Sequence, residues 1–235
     1  MIGIPFNKDM AQANLEGIKT QTRRPIAKAR YSLLDGEQAS QQTIDALGMQ
    51  WSKGYFGHSP LNGRTVFIVP DLNHESHVLT PYFDIGLEFY QQEPWSFGWC
   101  PNNPFGIASF SHPASAHGEP EHILHQKANS EATDWAHIWE FRVPDTLPYW
   151  ANRFTGQITS IHGQFVQDVN GQDARAEGMP QRPLEGSVNG VPAEVLFFDP
   201  IDWFARCWNS IYGESKKLGW KWNPPVWAFN YISLS

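Results

Sequence analysis

The sequence predicts an α+β fold in which short strands and short helices build a small barrel. Segments that read as strands are mixed along the chain with short segments of helical periodicity, which favours a barrel over a doubly wound sheet. The chain also holds 11 Trp, 15 Phe, 19 Gly and 18 Pro, a composition that favours strands and turns over long helices. Its 235 residues suffice for one substantial core, or for a core domain with a long insertion.

The first predicted element is a short amphipathic helix that ends at Gly17. Its apolar positions recur at helical spacing: Met10, Ala11, Leu15 and Ile18. Glycine closes helices readily because it adopts the left-handed conformation without strain. Further elements are predicted in the middle of the chain, with helical turns at 43–47, strands at 64–70, 81–90 and 135–143, and loops over 91–118.

The C-terminal part of the chain gives sharper patterns. Residues 154–161 read as a strand followed by a bulge or turn at Gly163, and residues 173–177 read as a short helix that Gly178 closes. Asp199 and the proline after it predict the start of a helix that Gly213 ends. The apolar face of that helix is assigned to Ile201, Phe204, Trp208 and Ile211. The last predicted strand, 226–232, carries three aromatic residues on one face, Trp227, Phe229 and Tyr231.

Charge and cysteine content restrict the class of protein. The formal net charge is −7, from 17 basic and 24 acidic residues, which argues against tight sequence-independent binding to a polyanion and favours a small, weakly charged substrate. Cys100 and Cys207 belong to no CxxC motif, which favours a reducing, cytoplasmic location. No apolar stretch approaches the ~20 residues that cross a bilayer, and residues 1–10 do not read as a signal peptide. We therefore expect a soluble cytoplasmic monomer without membrane contact.

The segment from Leu15 to Arg24 carries the most informative chemistry. Lys19 precedes Thr22 by three residues in a turn that leaves the predicted helix, so the pair can place an amine beside a hydroxyl. This pairing activates a weak nucleophile if the pKa of the lysine falls well below its ordinary ~10.4. Burial, or the neighbouring charges of Arg23 and Arg24, would lower the pKa of Lys19 in this way. The alternative interpretation is a solvated basic loop.

The same segment also suggests a nucleic-acid-binding module. Five basic residues lie within twelve positions that contain no acid: Lys19, Arg23, Arg24, Lys28 and Arg30. Such a local basic patch is typical of proteins that bind RNA or DNA, although a solvated loop has the same composition.

Two other catalytic patterns are weak. A His-rich run with two acids, comprising His112, His117, His122, His125, Glu119 and Glu121, matches no common zinc spacing, so no metal site is predicted. The Gly-x-Ser-x-Gly motif of one large class of serine hydrolases does not occur.

Three separated motifs occur in an order that resembles the ASCH domain family, whose fold is a PUA-like β-barrel. They are a helix with Gly-x-Lys-Thr-x-Thr-x-Arg, an Ala-x-Ala-Glu-Gly helix after a strand, and Trp-Asn-Ser-Ile-x-Gly before an Asn-Pro-x-Val-Trp strand. The long, phage-associated members are most similar, at Gly17, Lys19, Thr20, Thr22, Arg23, Arg24, Trp150, Ala151, Arg153, Glu177, Gly178, Trp208, Ile211, Gly213, Asn223, Pro224 and Trp227. The resemblance implies a barrel with short flanking helices from residues 1–26 and 148–235. Residues 27–147 are then a loop-rich insertion, rich in aromatics, Pro and Gly, that packs on the barrel.

The resemblance also implies a chemistry. Some small family members are amidohydrolases that remove the acyl group of N4-acetylcytidine with a Lys, a Thr and a Glu, and the matching residues here are Lys19, Thr22 and Glu177. Acyl transfer of this kind needs a nucleophile, a base and an acid for the leaving nitrogen, and it requires no cofactor. Other relatives bind modified bases or RNA, and ribonuclease activity is also associated with the family.

Recognition of a cytosine ring calls for an apolar wall and a few polar groups. Phe6, just before the first helix, and Trp150, where the insertion ends, are the candidates for stacking on the base, although most aromatics are core residues. Arg24 can reach a carbonyl or a phosphate. The expected substrate is therefore a small nucleoside, with weak nucleic-acid contact through residues 19–30 as the alternative.

Overall fold

The computed structural model shows a mixed α+β fold, as the sequence predicts. It describes residues 1–60, 62–94, 96–99, 109–111, 137–138, 144–147, 149, 152–180, 187–188, 191–192 and 199–234. Within these residues the strands do not close into a barrel. No helix in this part of the chain is both long and apolar enough to cross a membrane.

The helices are α1 (Lys8–Leu15), α2 (Gln41–Ala46), α3 (Gly171–Ala176) and α4 (Pro200–Tyr212). The strands are β1 (Ile2–Pro5), β2 (Gln21–Pro25), β3 (Ser32–Leu34), β4 (Tyr55–His58), β5 (Thr65–Pro70), β6 (Ser76–Pro81), β7 (Glu88–Gln92), β8 (Ser96–Trp99), β9 (Ser109–Ser111), β10 (His137–Ile138), β11 (Thr155–Phe165), β12 (Ser187–Val188), β13 (Val191–Pro192) and β14 (Pro225–Ser233).

The chain divides into two compact units. Unit 1 comprises Met1–Gly17, Glu88–Gln157 and Ser233–Ser235, and unit 2 comprises Ile18–Leu87 and Ile158–Ile232. Each unit takes in residues from the predicted barrel segments and from the predicted insertion, while the role of the insertion stays a prediction.

Unit 1 is built on the pairing of β1 with β7. The two strands are parallel, and β7 also pairs antiparallel with the start of β11, where Tyr90 faces Thr155. Helix α1 begins at Asn7, whose side chain accepts a hydrogen bond from the backbone of Met10 at 2.9 Å, a typical N-cap. After α1, Gly17 adopts the predicted left-handed conformation with φ of 69°.

Unit 2 contains two groups of paired strands. Strands β11, β14 and β2 lie side by side in that order, and β3, β6, β5 and β4 form a four-stranded antiparallel sheet. Phe56 of β4 packs edge-on against Phe165 of β11 and Trp227 of β14, with ring centroids 5.6 and 6.2 Å apart. Residues predicted to belong to the insertion and residues predicted to belong to the barrel therefore share one core.

Helices α3 and α4 pack against each other and against β14. Ala174 of α3 and Phe204 and Trp208 of α4 are buried in one cluster with Val226 of β14. The predicted cap of α4 is confirmed, because the Asp199 side chain accepts a hydrogen bond from the backbone of Ile201 at 2.7 Å. This packing brings the C-terminal end of α3 close to the segment that leads into β2, where the Thr20 backbone donates to the carbonyl of Ala176 at 2.9 Å.

Several predicted details are wrong. The predicted strand 81–90 is not continuous, because β6 ends at Pro81 and β7 begins at Glu88, and the segment 91–118 predicted as loops contains β8 and β9.

Gly163 does not form a turn but lies inside β11, where a Cβ atom would come 2.2 Å from the Phe56 ring, so the glycine makes room for close packing. On α4, Ile201 and Ile211 are 36% and 44% exposed, whereas Phe204 and Trp208 are buried. The helix therefore buries a narrower stripe than the predicted four-residue face.

Candidate active site

Lys19 and Glu177 meet in the interior of unit 2, although 158 residues separate them in the sequence. The Nζ of Lys19 donates to Oε2 of Glu177 at 2.6 Å and to the Glu177 backbone carbonyl at 2.8 Å. The two side chains are 0% and 2% exposed. The structure thus brings together two of the three predicted catalytic residues.

Local backbone features place both groups. Glu177 is the residue that ends α3, and Gly178, with φ of 101°, turns the chain away directly after it. On the other side, Lys19 lies between the left-handed Gly17 and the start of β2. Because Thr20 is hydrogen-bonded to Ala176, the two backbones are joined next to the side-chain contact.

Arg23 of β2 completes the charge arrangement. Its Nη1 donates to Oε1 of Glu177 at 2.9 Å, and its Nη2 lies 3.1 Å from Oδ2 of Asp173 on α3. Two cations, Lys19 and Arg23, are therefore matched by two carboxylates. Removing one partner from such a buried set leaves an uncompensated charge, which typically costs about 3–5 kcal/mol.

Burial changes the proton affinity of Lys19. The pKa of Lys19 is lowered, first because burial disfavours the charged amine, and further because Arg24 and Arg23 are positively charged neighbours, while Glu177 acts in the opposite direction. This is the direction that a lysine base requires, and both causes named from the sequence contribute.

Thr22 and Arg24 project from β2 on the opposite face to Arg23, because side chains alternate along a strand. Thr22 is buried and lies opposite Phe229 of β14. No hydrogen bond joins its hydroxyl to Lys19 or Glu177 among the described residues, so the predicted Lys19–Thr22 pairing stays a prediction. Arg24 is also buried, and its guanidinium lies 5.5 Å from the centre of the Tyr31 ring.

Tyr212 of α4 lies close enough to Arg24 for the two groups to interact electrostatically. Burial raises the pKa of Tyr212 to about 12. This tyrosine therefore stays a neutral hydrogen-bonding group at ordinary pH and does not supply a charge to the site.

The structure does not show the other two predicted contact residues, Phe6 and Trp150, at this site. Phe6 is a buried residue of unit 1 whose ring centroid is 6.4 Å from that of Phe89, an arrangement typical of a core aromatic. Trp150 lies outside the described residues, so its predicted stacking role is not tested. Of the five residues in the basic segment, Lys19, Arg23 and Arg24 are buried, so the segment is not an exposed basic patch.

Sequence reasoning missed the roles of Asp173 and Gln21. Asp173 lies four residues before Glu177, the spacing that puts two helical side chains on the same face, so a signal was present. Gln21 accepts a hydrogen bond from Arg23 at 2.5 Å and donates to Asn230 at 2.8 Å. No sequence pattern indicates the partners of Gln21.

Two other features of unit 2 lie apart from these residues. Asp71, Glu75 and His77 have potential ligand atoms within 4.8 Å of one another, but Asp71 already accepts hydrogen bonds from the backbones of Asn73 and Glu75. A pocket of about 270 Å³ is lined by residues of two loops and of β5, β6 and β11, and neither Lys19 nor Glu177 is among them: Asn62, Gly63, Arg64, Thr65, Pro81, Phe83, Asp84, Ile85 and Ile161. The predicted His-rich run lies outside the described residues.

Comparisons with models of protein families, with curated proteins and with solved structures find no match for this chain. The chemistry of the site therefore has to be argued from its own residues.

Proposed function

We propose that this protein is an amidohydrolase that removes the acyl group from N4-acylated cytosine nucleosides, with Lys19, Thr22 and Glu177 as its catalytic residues. The observation that carries the proposal is the buried contact of 2.6 Å between Lys19 and Glu177. The resemblance to the ASCH family assigns these two residues to one site from the sequence alone. Their contact supports the assignment because nothing in the spacing of 158 residues requires it.

The proposed reaction uses the three groups in turn. The hydroxyl of Thr22, or a water that it positions, attacks the acyl carbon, and the amine of Lys19 takes the proton of the attacking group. The carbon–nitrogen bond then breaks as the proton taken up by Lys19 passes through the Glu177 carboxylate to N4, so that cytidine leaves as a neutral amine. Where Thr22 is the nucleophile, a water then hydrolyses the acyl-threonine ester, which releases the carboxylic acid and restores the Thr22 hydroxyl. No metal or cofactor enters these steps.

The low exposure of the site supports amide chemistry. Only the neutral amine of a lysine can accept a proton. Burial, the main reason that the pKa of Lys19 is lowered, favours this neutral form. Arg24, buried on the same face of β2 as Thr22, is the proposed partner for a carbonyl oxygen of the substrate. Phe6 and Trp150 stay proposed stacking residues.

At the level of fold we propose the PUA-like barrel of the ASCH family as the finer classification of this α+β structure. The nucleoside is proposed to bind without a partner protein. The alternative, an RNA- or DNA-binding module or a ribonuclease, rested on the basic segment 19–30. It has less support, because three of the five basic side chains are buried and engaged within the protein.

The direct test follows the ultraviolet spectrum of N4-acetylcytidine with purified protein. Wild type is expected to convert it to cytidine, and Lys19→Ala is expected to be slower by about 10²–10⁴-fold, the usual contribution of a general base. Lys53→Ala, which removes an exposed lysine of the same unit, serves as the matched control and should be fully active. Full activity in Lys19→Ala would contradict the proposal. If folded wild type does not convert N4-acetylcytidine, the alternative of a nucleic-acid-binding module is favoured.

A further inference from the structure

The carboxylate of Glu177 is held by two cations, one on each oxygen. Arg23 Nη1 lies 2.9 Å from Oε1, and Lys19 Nζ lies 2.6 Å from Oε2. We propose that Arg23 is a positioning residue whose guanidinium holds Glu177 so that one carboxylate oxygen faces the amine of Lys19. The catalytic consequence of this arrangement rests on the proposed function, whereas the arrangement itself does not depend on any substrate.

Arg23 is itself held by three elements of unit 2. Its Nη1 also donates to Gln21 of β2 at 2.5 Å, and its Nη2 lies 3.1 Å from Asp173 of α3. The centre of the Phe204 ring on α4 lies 5.6 Å from the guanidinium carbon, within the range of a cation–π contact. A side chain with this many partners has one orientation, and Glu177 takes its orientation from it.

Gln164 of β11 adds a further partner. Its amide satisfies its hydrogen bonds when the oxygen faces Arg23, where it accepts from Nε at 3.2 Å and from Nη2 at 3.3 Å. The donors of Arg23 are thereby shared among acceptors on β2, α3 and β11.

A lysine in place of Arg23 cannot bind both carboxylates in a fixed geometry. The guanidinium presents five donors in a rigid plane, whereas an ammonium is a single point charge on a flexible chain. Arg23→Lys therefore keeps the positive charge but cannot hold Glu177 and Asp173 at the same time. This difference separates the geometric role of Arg23 from its charge.

The positive charge of Arg23 also affects the pKa of Lys19. The charged groups that act on Lys19 are Glu177 from α3 and Arg23 and Arg24 from β2. The two arginines lower the pKa of Lys19 and Glu177 raises it, so removal of the Arg23 charge is expected to raise the pKa of the lysine. Arg23→Lys is expected to leave that pKa close to its wild-type value.

The experiment compares wild type, Arg23→Gln and Arg23→Lys, with Arg175→Gln as matched control because Arg175 is an exposed arginine on α3. The first readout is kcat and KM for N4-acetylcytidine over a range of pH. The second is the titration of Lys19 by NMR in protein that carries ¹³C-labelled lysine, with the resonance assigned by its loss in Lys19→Ala.

Arg23→Gln is expected to lower kcat about 100-fold with little change in KM, the size of effect expected when a catalytic group is displaced by ~1 Å. It should also move the Lys19 titration to higher pH. In Arg23→Lys, Lys19 should titrate at the same pH as in wild type, but kcat should stay low. The chemical shift of the Lys19 resonance should differ from wild type, because Glu177 is no longer held in one orientation. Arg175→Gln should match wild type in every readout.

Two results would overturn the positioning role. One is wild-type kcat in Arg23→Lys, and the other is a Lys19 resonance with wild-type shift and titration in both Arg23 variants. If wild type does not hydrolyse N4-acetylcytidine, the proposed function fails, and the NMR titration still decides whether Arg23 positions the pair. If Arg23→Gln does not fold, the shift of the Lys19 resonance in Arg23→Lys decides the question.

Discussion

Lys19 combines two properties that rarely occur together in a lysine. Its amine is buried and donates to the Glu177 carboxylate, yet two arginines lie close enough to lower its pKa. Isolated buried charges are costly, so the site depends on Glu177 and Asp173 to compensate the cations. Such buried charge clusters with a shifted pKa are more frequent at functional sites than elsewhere in proteins.

A pH dependence follows from the lowered pKa of Lys19. If the neutral amine is the base, kcat/KM rises with pH through the pKa of Lys19 and levels off below 10.5, the ordinary value for lysine. The check is kcat/KM measured against pH, after subtraction of the hydrolysis that hydroxide alone causes. The rising limb should be absent from the residual activity of Lys19→Ala. A limb centred at or above 10.5 would exclude Lys19 as the base.

The lowered pKa of Lys19 also makes the free energy of unfolding depend on pH. Between the lowered pKa of folded Lys19 and 10.5, the unfolded chain binds more protons than the folded chain at this residue. The contribution of Lys19 to the free energy of unfolding therefore increases as pH rises across that interval, the reverse of a lysine whose pKa is raised by an ion pair.

At the scale of elements, β2 organises the site. All five of its residues are buried, so both faces of the strand are covered. One face carries Gln21 and Arg23, which contact each other and reach Asn230 and α3, and the other carries Thr22 and Arg24. A polar strand that is buried on both faces has no hydrophobic pattern. Its partners therefore cannot be predicted from the sequence alone.

The close packing of β11 on β4 gives a prediction about stability. A Cβ atom at Gly163 would lie 2.2 Å from the Phe56 ring and 3.1 Å from Trp227, and the Phe56 ring is held by its other aromatic neighbours. Gly163→Ala is expected to lower the free energy of unfolding by about 1–3 kcal/mol, as overpacking of a core usually does. Urea unfolding followed by tryptophan fluorescence measures the effect.

Gly57→Ala is the matched control for this change. Gly57 also lies in a strand of unit 2, but a Cβ atom there would meet its nearest neighbours at 3.7 and 3.8 Å, which is ordinary contact. Its effect should stay within about 0.5 kcal/mol. Equal stability of the two variants would show that Phe56 does not pack on Gly163 as described.

At the scale of the whole molecule, the sequence predicted the α+β class and most of the regular elements with clear end signals. The sequence indicates the end of α1 at Gly17 and the start of α4 at Asp199, because those signals are local, whereas the N-cap role of Asn7 comes from the structure. The packing role of Gly163 is not visible in the sequence, because its partner, Phe56, is more than a hundred residues away.

For the candidate site, too, contacts between residues far apart in the sequence cannot be predicted from local patterns. The pattern of Lys19, Thr22 and Glu177 is visible in the sequence only through the resemblance to a family, because no periodicity links residues 158 apart. The structure adds the contact itself and the two supporting residues, Arg23 and Asp173. Charge counting alone assigned the same basic residues to a nucleic-acid surface, because composition does not show which charges are buried.

Lys19 and Glu177 are proposed to act as one site, and a double-mutant cycle on kcat/KM for N4-acetylcytidine tests this proposal. Groups that work as a unit give non-additive losses. Lys19→Ala, Glu177→Gln and the combined variant, each shown to be folded by near-ultraviolet circular dichroism, should therefore lose about the same activity. Losses that multiply in the combined variant would show that the two residues act independently and not as one catalytic site.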